Sequence, residues 1–214
     1  MVLADNPSIA NQFIAELRDV TIQIDRMRFR RNMERLGEVF AYEISKTLVY
    51  SVKEVETPLG LADVATSDAQ PVIATILRAG LPLHQGLLNY FDRADNAFVS
   101  AYRKHHKDGT FEINVEYISC PLIEGRVLIV CDPMLATGSS LVLAVEKLLE
   151  HGSPKTIHLV TAIASSSGID YVKRMLPQAT LWIAAVDEEL TAKSYIVPGL
   201  GDAGDLAFGD KLQD

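Results

Sequence analysis

The chain has 214 residues, with 20 Lys+Arg against 28 Asp+Glu and a formal net charge of -8. Its 48% hydrophobic and 22% charged residues supply enough apolar side chains for a buried core, which excludes a disordered chain. The acidic balance argues against duplex binding, because non-specific nucleic-acid affinity comes from Lys and Arg neutralising phosphates, but it leaves room for a small anionic ligand, which feels only the local field. Cys120 and Cys131 are too few for a disulfide framework and favour a reducing compartment. The longest apolar runs fall far short of the roughly 18 residues of a membrane span. Met1 to Pro7 shows no basic stretch followed by an apolar one. These features predict a cytoplasmic protein with no membrane and no nucleic-acid partner.

In chain order, Ile9, Phe13, Leu17 and Val20 recur at helical spacing after Ser8 and predict an amphipathic helix. Phe29, Met33, Leu36, Phe40, Ile44 and Leu48 predict a second helix. Its other face carries Arg26, Arg28, Arg30, Arg31 and Arg35, which in an acidic chain reads as a solvated face. Thr57-Pro58-Leu59-Gly60 is a turn signal after the polar, β-rich stretch Val52–Glu56. Val72–Leu77 reads as a buried strand, Leu81–Phe91 as a helix and Ala97–Tyr102 as a strand. Glu112–Ile118 is the return strand of a hairpin turning at Lys107-Asp108-Gly109. His105 and His106 read as a solvated tip of that arm rather than a metal site, having no further His or Cys spaced nearby.

Val127–Cys131 is the clearest strand and Ser140–Glu150 the clearest helix, followed by a strand at Ile157–Ala164, a helix near Ile169–Met175 and a strand at Leu181–Val186. This alternation predicts an α/β fold, a parallel sheet covered by helices on both faces. We expect one domain over residues 1–214, with an N-terminal helical segment at 1–50 and a distinct C-terminal segment at 187–214. Ligands of such sheets bind beyond the carboxyl ends of the strands, which directs attention to Arg78, Arg103, Asp132 and the segment after Val186.

Asp132-Pro133-Met134-Leu135-Ala136-Thr137-Gly138-Ser139-Ser140 joins the clearest strand to the clearest helix. A helix N-terminus offers unpartnered N–H groups and the positive end of its dipole to an anion. Thr137, Ser139 and Ser140 add hydroxyl groups, and Gly138 lets the backbone come close to a phosphate. Taken alone, these residues also make an ordinary N-cap, and the Walker spacing with its lysine is absent.

The nine residues resemble the phosphoribosyl-pyrophosphate (PRPP) motif of uracil phosphoribosyltransferases, a branch of the type I phosphoribosyltransferases. Other type I enzymes carry two adjacent acids here and a third acid before Thr-Gly. Pro133 and Ala136 stand at the second and third of those positions, which is the pattern of the uracil branch. Those enzymes usually have Gly-Gly-Ser where this chain has Gly138-Ser139-Ser140, and a serine fits if position 139 has negative φ. Ile76-Leu77-Arg78-Ala79-Gly80-Leu81 is similar to the family's pyrophosphate loop, and Tyr102-Arg103 to the dipeptide at the base of its flexible arm. Tyr195 to Asp205 is close to its uracil-binding signature, and Thr21, Phe29-Arg30, Arg35-Leu36-Gly37 and Tyr42-Glu43 resemble its helical start. The arm departs from the family, because Phe111 to Tyr117 lacks its usual Leu-Glu-Pro stretch and lysine.

The resemblance implies a type I phosphoribosyltransferase-like fold with N-terminal helices and a C-terminal base-binding loop, or hood. It implies conversion of uracil and PRPP to UMP and diphosphate in pyrimidine salvage. PRPP contacts would come from Arg78, Arg103, Asp132, Pro133, Met134, Leu135, Ala136, Thr137, Gly138, Ser139, Ser140 and Asp202, and uracil contacts from Ile196, Gly201, Asp202 and Ala203. Arg103 and Asp202 would be the catalytic residues. Mg²⁺ would bind through PRPP oxygens rather than a protein cage. A homodimer or larger homo-oligomer is expected, and a GTP effector is left open. Residues 199–209 hold four of the 13 glycines with no helical or strand period, yet Ile196, Pro198, Leu200, Leu206 and Phe208 are too apolar for a frayed tail. An ordered loop presenting backbone groups to a flat base is therefore expected. Within it, Asp202 either receives the N1 proton or holds the loop as an Asx turn. The competing reading is a PRPP- or nucleotide-sensing regulator of the same fold with weak or no catalysis, to which Ser139 and the altered arm would point.

Overall fold

The computed structural model describes residues 1–68, 70–105 and 111–210, without the side chains of 101–105 and 111–115. The arm tip, including His106 and Lys107-Asp108-Gly109, and residues 211–214 lie outside the described residues, as do the side chains of His105 and Arg103. Helix α1 (Ile9–Arg18) starts at a capping box, in which Ser8 Oγ accepts from Ala10 N and Asn11 Oδ1 accepts from Ser8 N. Its buried face is Ala10, Ile14 and Leu17, while Ile9 and Val20 are 66% and 73% exposed. The expected face is thus displaced: the small Ala10, not Ile9, points inward. Val20 lies beyond the helix end, where Asp19 Oδ1 accepts from Thr21 N and Thr21 Oγ1 and turns the chain.

Helix α2 (Arg26–Ser45) is capped by Asp25 and buries Phe29, Met33, Leu36, Phe40 and Ile44 as the periodicity predicts. Its arginine face is not simply solvated. Arg28 forks onto Glu16 of α1 (2.6 and 2.8 Å), Arg31 pairs with Glu34 and Glu38, Arg35 lies over the Phe13 ring, and Arg30 donates to Ala207 O. Strands β1 (Ser51–Thr57) and β2 (Gly60–Thr66) then form an antiparallel hairpin around Pro58-Leu59, with Leu59 99% exposed.

The central sheet contains β3 (Val72–Leu77), β4 (Asp95–His105), β5 (Phe111–Ser119), β6 (Val127–Cys131), β7 (Met134–Leu135), β8 (Thr156–Ser165) and β9 (Ala179–Asp187). Its order is β5-β4-β3-β6-β8-β9, with the two-residue β7 pairing alongside the end of β8. All neighbours are parallel except the edge pair β4–β5. Helices α3 (Leu81–Leu88), α4 (Ser139–Leu148) and α5 (Ser166–Met175) supply the crossovers. The expected helix Leu81–Phe91 is shorter by three residues. Strand residues alternate between two cores: Ile73 and Ile129 face α1, α2 and α3, whereas Val72, Ala74 and Val130 face α4 and α5. Burial on both faces explains why these strands read as unbroken apolar runs.

From β3 the chain builds outward to β4 on one side, and from β6 to β8 and β9 on the other. The carboxyl ends of β3 and β6 therefore flank the switch point of the sheet, where α/β folds bind ligands. The C-terminal segment adds β10 (Glu189–Leu190), β11 (Ile196–Val197) and α6 (Ala203–Phe208). Residues 199–209, expected to lack helical structure, thus contain a short helix. Asp202 caps it, with Oδ1 accepting from Gly204 N (2.8 Å) and Asp205 N (3.1 Å).

Candidate active site

The loop after β6 is built by the neighbouring strand and helix rather than by its own sequence alone. Asp132 N donates to Val160 O, and Pro133 O accepts from Ala162 N and Ile163 N. These bonds lead the chain into β7, so Met134-Leu135 is strand where a loop is expected. Next, Ala136 O accepts from Ser165 Oγ at 2.5 Å, while the same Oγ accepts from Gly168 N at 2.9 Å and caps α5. A Cβ on Gly168 would lie 2.9 Å from Leu135 O and 3.1 Å from Ala136 C, so α5 touches the loop backbone directly. Ser165 and Gly168 hold this loop, and the sequence reading missed both. Ser165 was recognisable only as an N-cap, and its partner lies 29 residues away.

Within the loop, Asp132, Met134, Ala136, Thr137, Ser139 and Ser140 are half-buried, whereas Pro133, Leu135 and Gly138 are buried. Pro133 and Leu135 therefore pack, and any ligand contact from them is a backbone one. Gly138 has φ 83, a left-handed conformation that suits glycine, and its absent Cβ leaves space for Tyr171 and Val172 of α5. The structure thus supplies a folding reason for this glycine besides close approach to a ligand. Ser139 begins α4, and among the described residues Ser194 alone is a non-glycine with positive φ, so a serine at 139 is unstrained. Thr137 Oγ1 lies 3.3 Å from Ser139 Oγ, placing two hydroxyl groups beside the first turn of α4.

Across the switch point, Arg78 follows β3 through a cis Leu77–Arg78 peptide. Its Nη2 donates to Asp205 Oδ1 (2.7 Å) and Gly209 O (2.9 Å), tying the loop after β3 to α6. Gly204 lies beside Arg78 and Ala79, so Arg78 and the Asp202 cap are neighbours. Arg103, expected at a strand end, has its backbone inside β4, opposite Ile113 of β5. The pairing of β4 with β3 stops at Ser100, so Arg103 stands on the hairpin extension beyond the body of the sheet. Burial pushes the Cys131 thiol up to about 12, which makes the residue before Asp132 a packing residue and not a nucleophile.

The base-loop candidates are also placed. Ile196 and Ala203 are buried and Gly201 is exposed, with Gly199 and Gly201 at φ 57 and 97. Arg18, the last residue of α1, forks onto Asp187 at the end of β9, and Arg18 Nη1 also donates to Gly199 O. A cavity of about 680 Å³ separates this segment from the α1–α2 connection, lined among others by Arg18, Ile24, Leu200, Gly201 and Asp202. A second, about 350 Å³, lies between Phe13, Arg35, Tyr42 and Tyr90 and includes none of the expected site residues. No group of three or more His, Cys, Asp or Glu side chains converges among the described residues. None of the described helices is long and apolar enough to cross a membrane.

The model of the family described as uracil phosphoribosyltransferase matches residues 4–210. A uracil phosphoribosyltransferase from Porphyromonas gingivalis is 57% identical over 206 residues, 96% of this chain and 95% of the relative. That from Thermococcus gammatolerans is 40% identical over 212 residues, 98% of this chain and 92% of the relative. The solved structure of the AQ2163 protein from Aquifex aeolicus superposes with TM-score 0.86 at 29% identity, covering 97% of this chain and 98% of that one. A purine phosphoribosyltransferase from Pyrococcus horikoshii, 12% identical with TM-score 0.50 over 75% of this chain and 91% of that one, shares the fold alone. With the family pattern spanning nearly the whole chain, and the loops that carry it gathered at one switch point, this chain belongs to the uracil phosphoribosyltransferase family.

Proposed function

We propose that the site transfers the 5-phosphoribosyl group of PRPP to N1 of uracil: the C1′–O bond to diphosphate breaks, the C1′–N1 bond forms and N1 loses its proton. The observation that carries this reading is the Arg78 bridge, which joins the loop after β3 to α6 beside the Asp202 cap. Charge develops at C1′ and on the leaving diphosphate, so positioning and electrostatic stabilisation suffice without a protein nucleophile. Arg78 spends Nη2 on Asp205 and Gly209, leaving its other nitrogens to meet diphosphate oxygens. Arg103 is the second diphosphate ligand in this reading. The first turn of α4, with Thr137, Ser139 and Ser140, receives the 5′-phosphate, and Asp132 accepts the ribose hydroxyls.

Asp202 Oδ1 is committed to the cap, which fixes the carboxylate; Oδ2 makes no hydrogen bond among the described residues and is the atom turned to the N1 proton. In this reading Asp202 serves both as the cap of α6 and as the acceptor of the N1 proton. Backbone groups of Ile196, Gly201 and Ala203 complement the O2, N3–H and O4 edge of uracil. Mg²⁺ would be held mainly through PRPP oxygens, leaving Asp132 to the ribose hydroxyls. When bound, Mg²⁺ neutralises diphosphate charge. Incubation of the protein with labelled uracil, PRPP and Mg²⁺ should yield labelled UMP; retained PRPP binding without product would favour the sensor instead.

The exposed β1–β2 hairpin supports a homo-oligomer, because an isolated two-stranded hairpin is marginal in water and a second copy would cover it. Sedimentation should give at least a dimer, and Val55→Asp should lower its mass. The unpaired Cys120 and Cys131 support a cytoplasmic setting, which localisation of a tagged chain would check.

A further inference from the structure

Within the segment Pro198 to Asp202, Leu200 is buried in the core, and the segment faces the cavity of about 680 Å³ on its α1–α2 side. One ion pair holds its backbone in addition. Arg18 Nη1 and Nη2 donate to Asp187 Oδ2 (2.8 Å) and Oδ1 (2.9 Å), and Asp187 is 7% exposed. The pair also grips both backbone polar groups of Gly199: Arg18 Nη1 donates to Gly199 O (2.9 Å), and Gly199 N donates to Asp187 Oδ2 (2.9 Å). Arg18 ends α1 and Asp187 ends β9, so the grip is anchored on two elements whose positions the core fixes.

We propose that Arg18 and Asp187 are positioning residues for uracil binding. By holding Gly199 N–H and C=O, which belong to the peptide links on either side of its Cα, they set the height and tilt of the turn that follows, and with it the backbone groups of Gly201 and Ala203. A base read by backbone hydrogen bonds is sensitive to such a setting, because these bonds weaken steeply with misalignment. The guanidinium fork matters as much as its charge: a lysine at position 18 can reach Asp187 or Gly199, but lacks the planar geometry that serves both. This inference rests on the reading that residues 196–203 hold the base.

The test is steady-state kinetics with both substrates varied, on Arg18→Ala, Arg18→Lys and Asp187→Asn, with Gly201→Ala as a control inside the loop. Arg18→Ala is expected to raise the uracil KM about tenfold or more, the worth of about one charge-assisted hydrogen bond, while the PRPP KM stays within about twofold. Arg18→Lys should recover part of the loss. If Arg18→Ala does not fold, the same uracil-specific rise is expected of Arg18→Lys and Asp187→Asn. An unchanged uracil KM in these variants overturns the proposal, as does an equal rise in both KM values, which would mark general damage. Gly201→Ala separates the two layers. Its failure to alter the uracil KM would sink the base-loop reading itself, whereas a rise there without one in the Arg18 and Asp187 variants would sink only the positioning role.

Discussion

Replacing Gly168 with alanine probes how firmly α5 sets the PRPP loop. The new methyl would overlap Ala136 O and sit 2.9 Å from Leu135 O, so the loop must retreat by about 1 Å to reach ordinary contact. Retreat of Ala136 O from Ser165 Oγ, now 2.5 Å away, breaks that hydrogen bond. Overpacking costs about 1–3 kcal/mol and the lost bond about 0.5–1.5 kcal/mol. The helix preference for alanine over glycine returns about 1 kcal/mol. The net loss of roughly 0.5–3.5 kcal/mol corresponds to a Tm drop of about 1–14 °C for a chain of this size. The functional loss should be larger, because Thr137 to Ser140 follow directly and a displacement of about 1 Å at a positioned substrate costs about 100-fold in rate. Thermal denaturation and initial rates at varied PRPP would measure both. Ser165→Ala, which removes that bond and the α5 cap together but adds no overlap, should also lower Tm and raise the PRPP KM. A Gly168→Ala protein with wild-type Tm and PRPP KM would refute the claim that α5 holds the loop.

Acid should weaken the helical layer through Glu16. Hydrogen bonds from Arg28 first and Asn32 next lower its pKa from the ordinary 4.5 to about 2, so its stabilisation is complete above about 4.5 and fades as pH falls toward 2. The loss should be on the order of 1–3 kcal/mol, and Glu16→Gln should flatten the stability profile over that window; an unchanged slope would contradict the assignment. Asparagine caps helices as well as aspartate, so Asp202→Asn should keep Tm within about 1–2 °C while lowering kcat at least tenfold. An unchanged kcat would confine Asp202 to capping. Buried Cys131 should resist a thiol reagent at pH 8 until the protein unfolds, with half-buried Cys120 reacting first; rapid labelling of both in the native state would contradict this burial.

Strands β3, β6, β8 and β9 were legible because burial on both faces turns each into an apolar run bounded by polar residues. Helix α2 was legible because its large side chains keep the helical period for four turns. The face of α1 was misjudged because side-chain size stood in for burial, and Ala10 goes inward where Ile9 does not. Helix α6 escaped because it is only six residues long, holds Gly204 and is flanked by Gly201 and Gly209, although Asp202 followed by Asp205 is an N-terminal signal. Strand β7 escaped because two residues carry no period, and their pairing to Ile163 and Ala164 is non-local.

The candidate site divides along the same line. Residues that would touch substrate sit in contiguous motifs and could be named from sequence: Arg78, the loop 132–140 and Asp202. The residues that hold those motifs in place are distant in the chain and carry no local signature. Arg18 and Asp187 are 169 residues apart, and Arg78 and Asp205 are 127 apart. The arginine face of α2 illustrates the cost, since Arg28 and Arg30 looked like solvated charge until Glu16 and Ala207 came beside them.

The central claim is that a base loop fixed above the switch point selects uracil for transfer of the phosphoribosyl group. A competition assay tests it most directly: PRPP and Mg²⁺ with equimolar uracil, cytosine, hypoxanthine and orotate, the nucleotide products being separated and quantified. A site that hydrogen-bonds the uracil edge should discriminate against a mismatched base by roughly 10⁴–10⁵, so UMP is the product expected. Faster formation of the hypoxanthine, orotate or cytosine nucleotide would contradict the account.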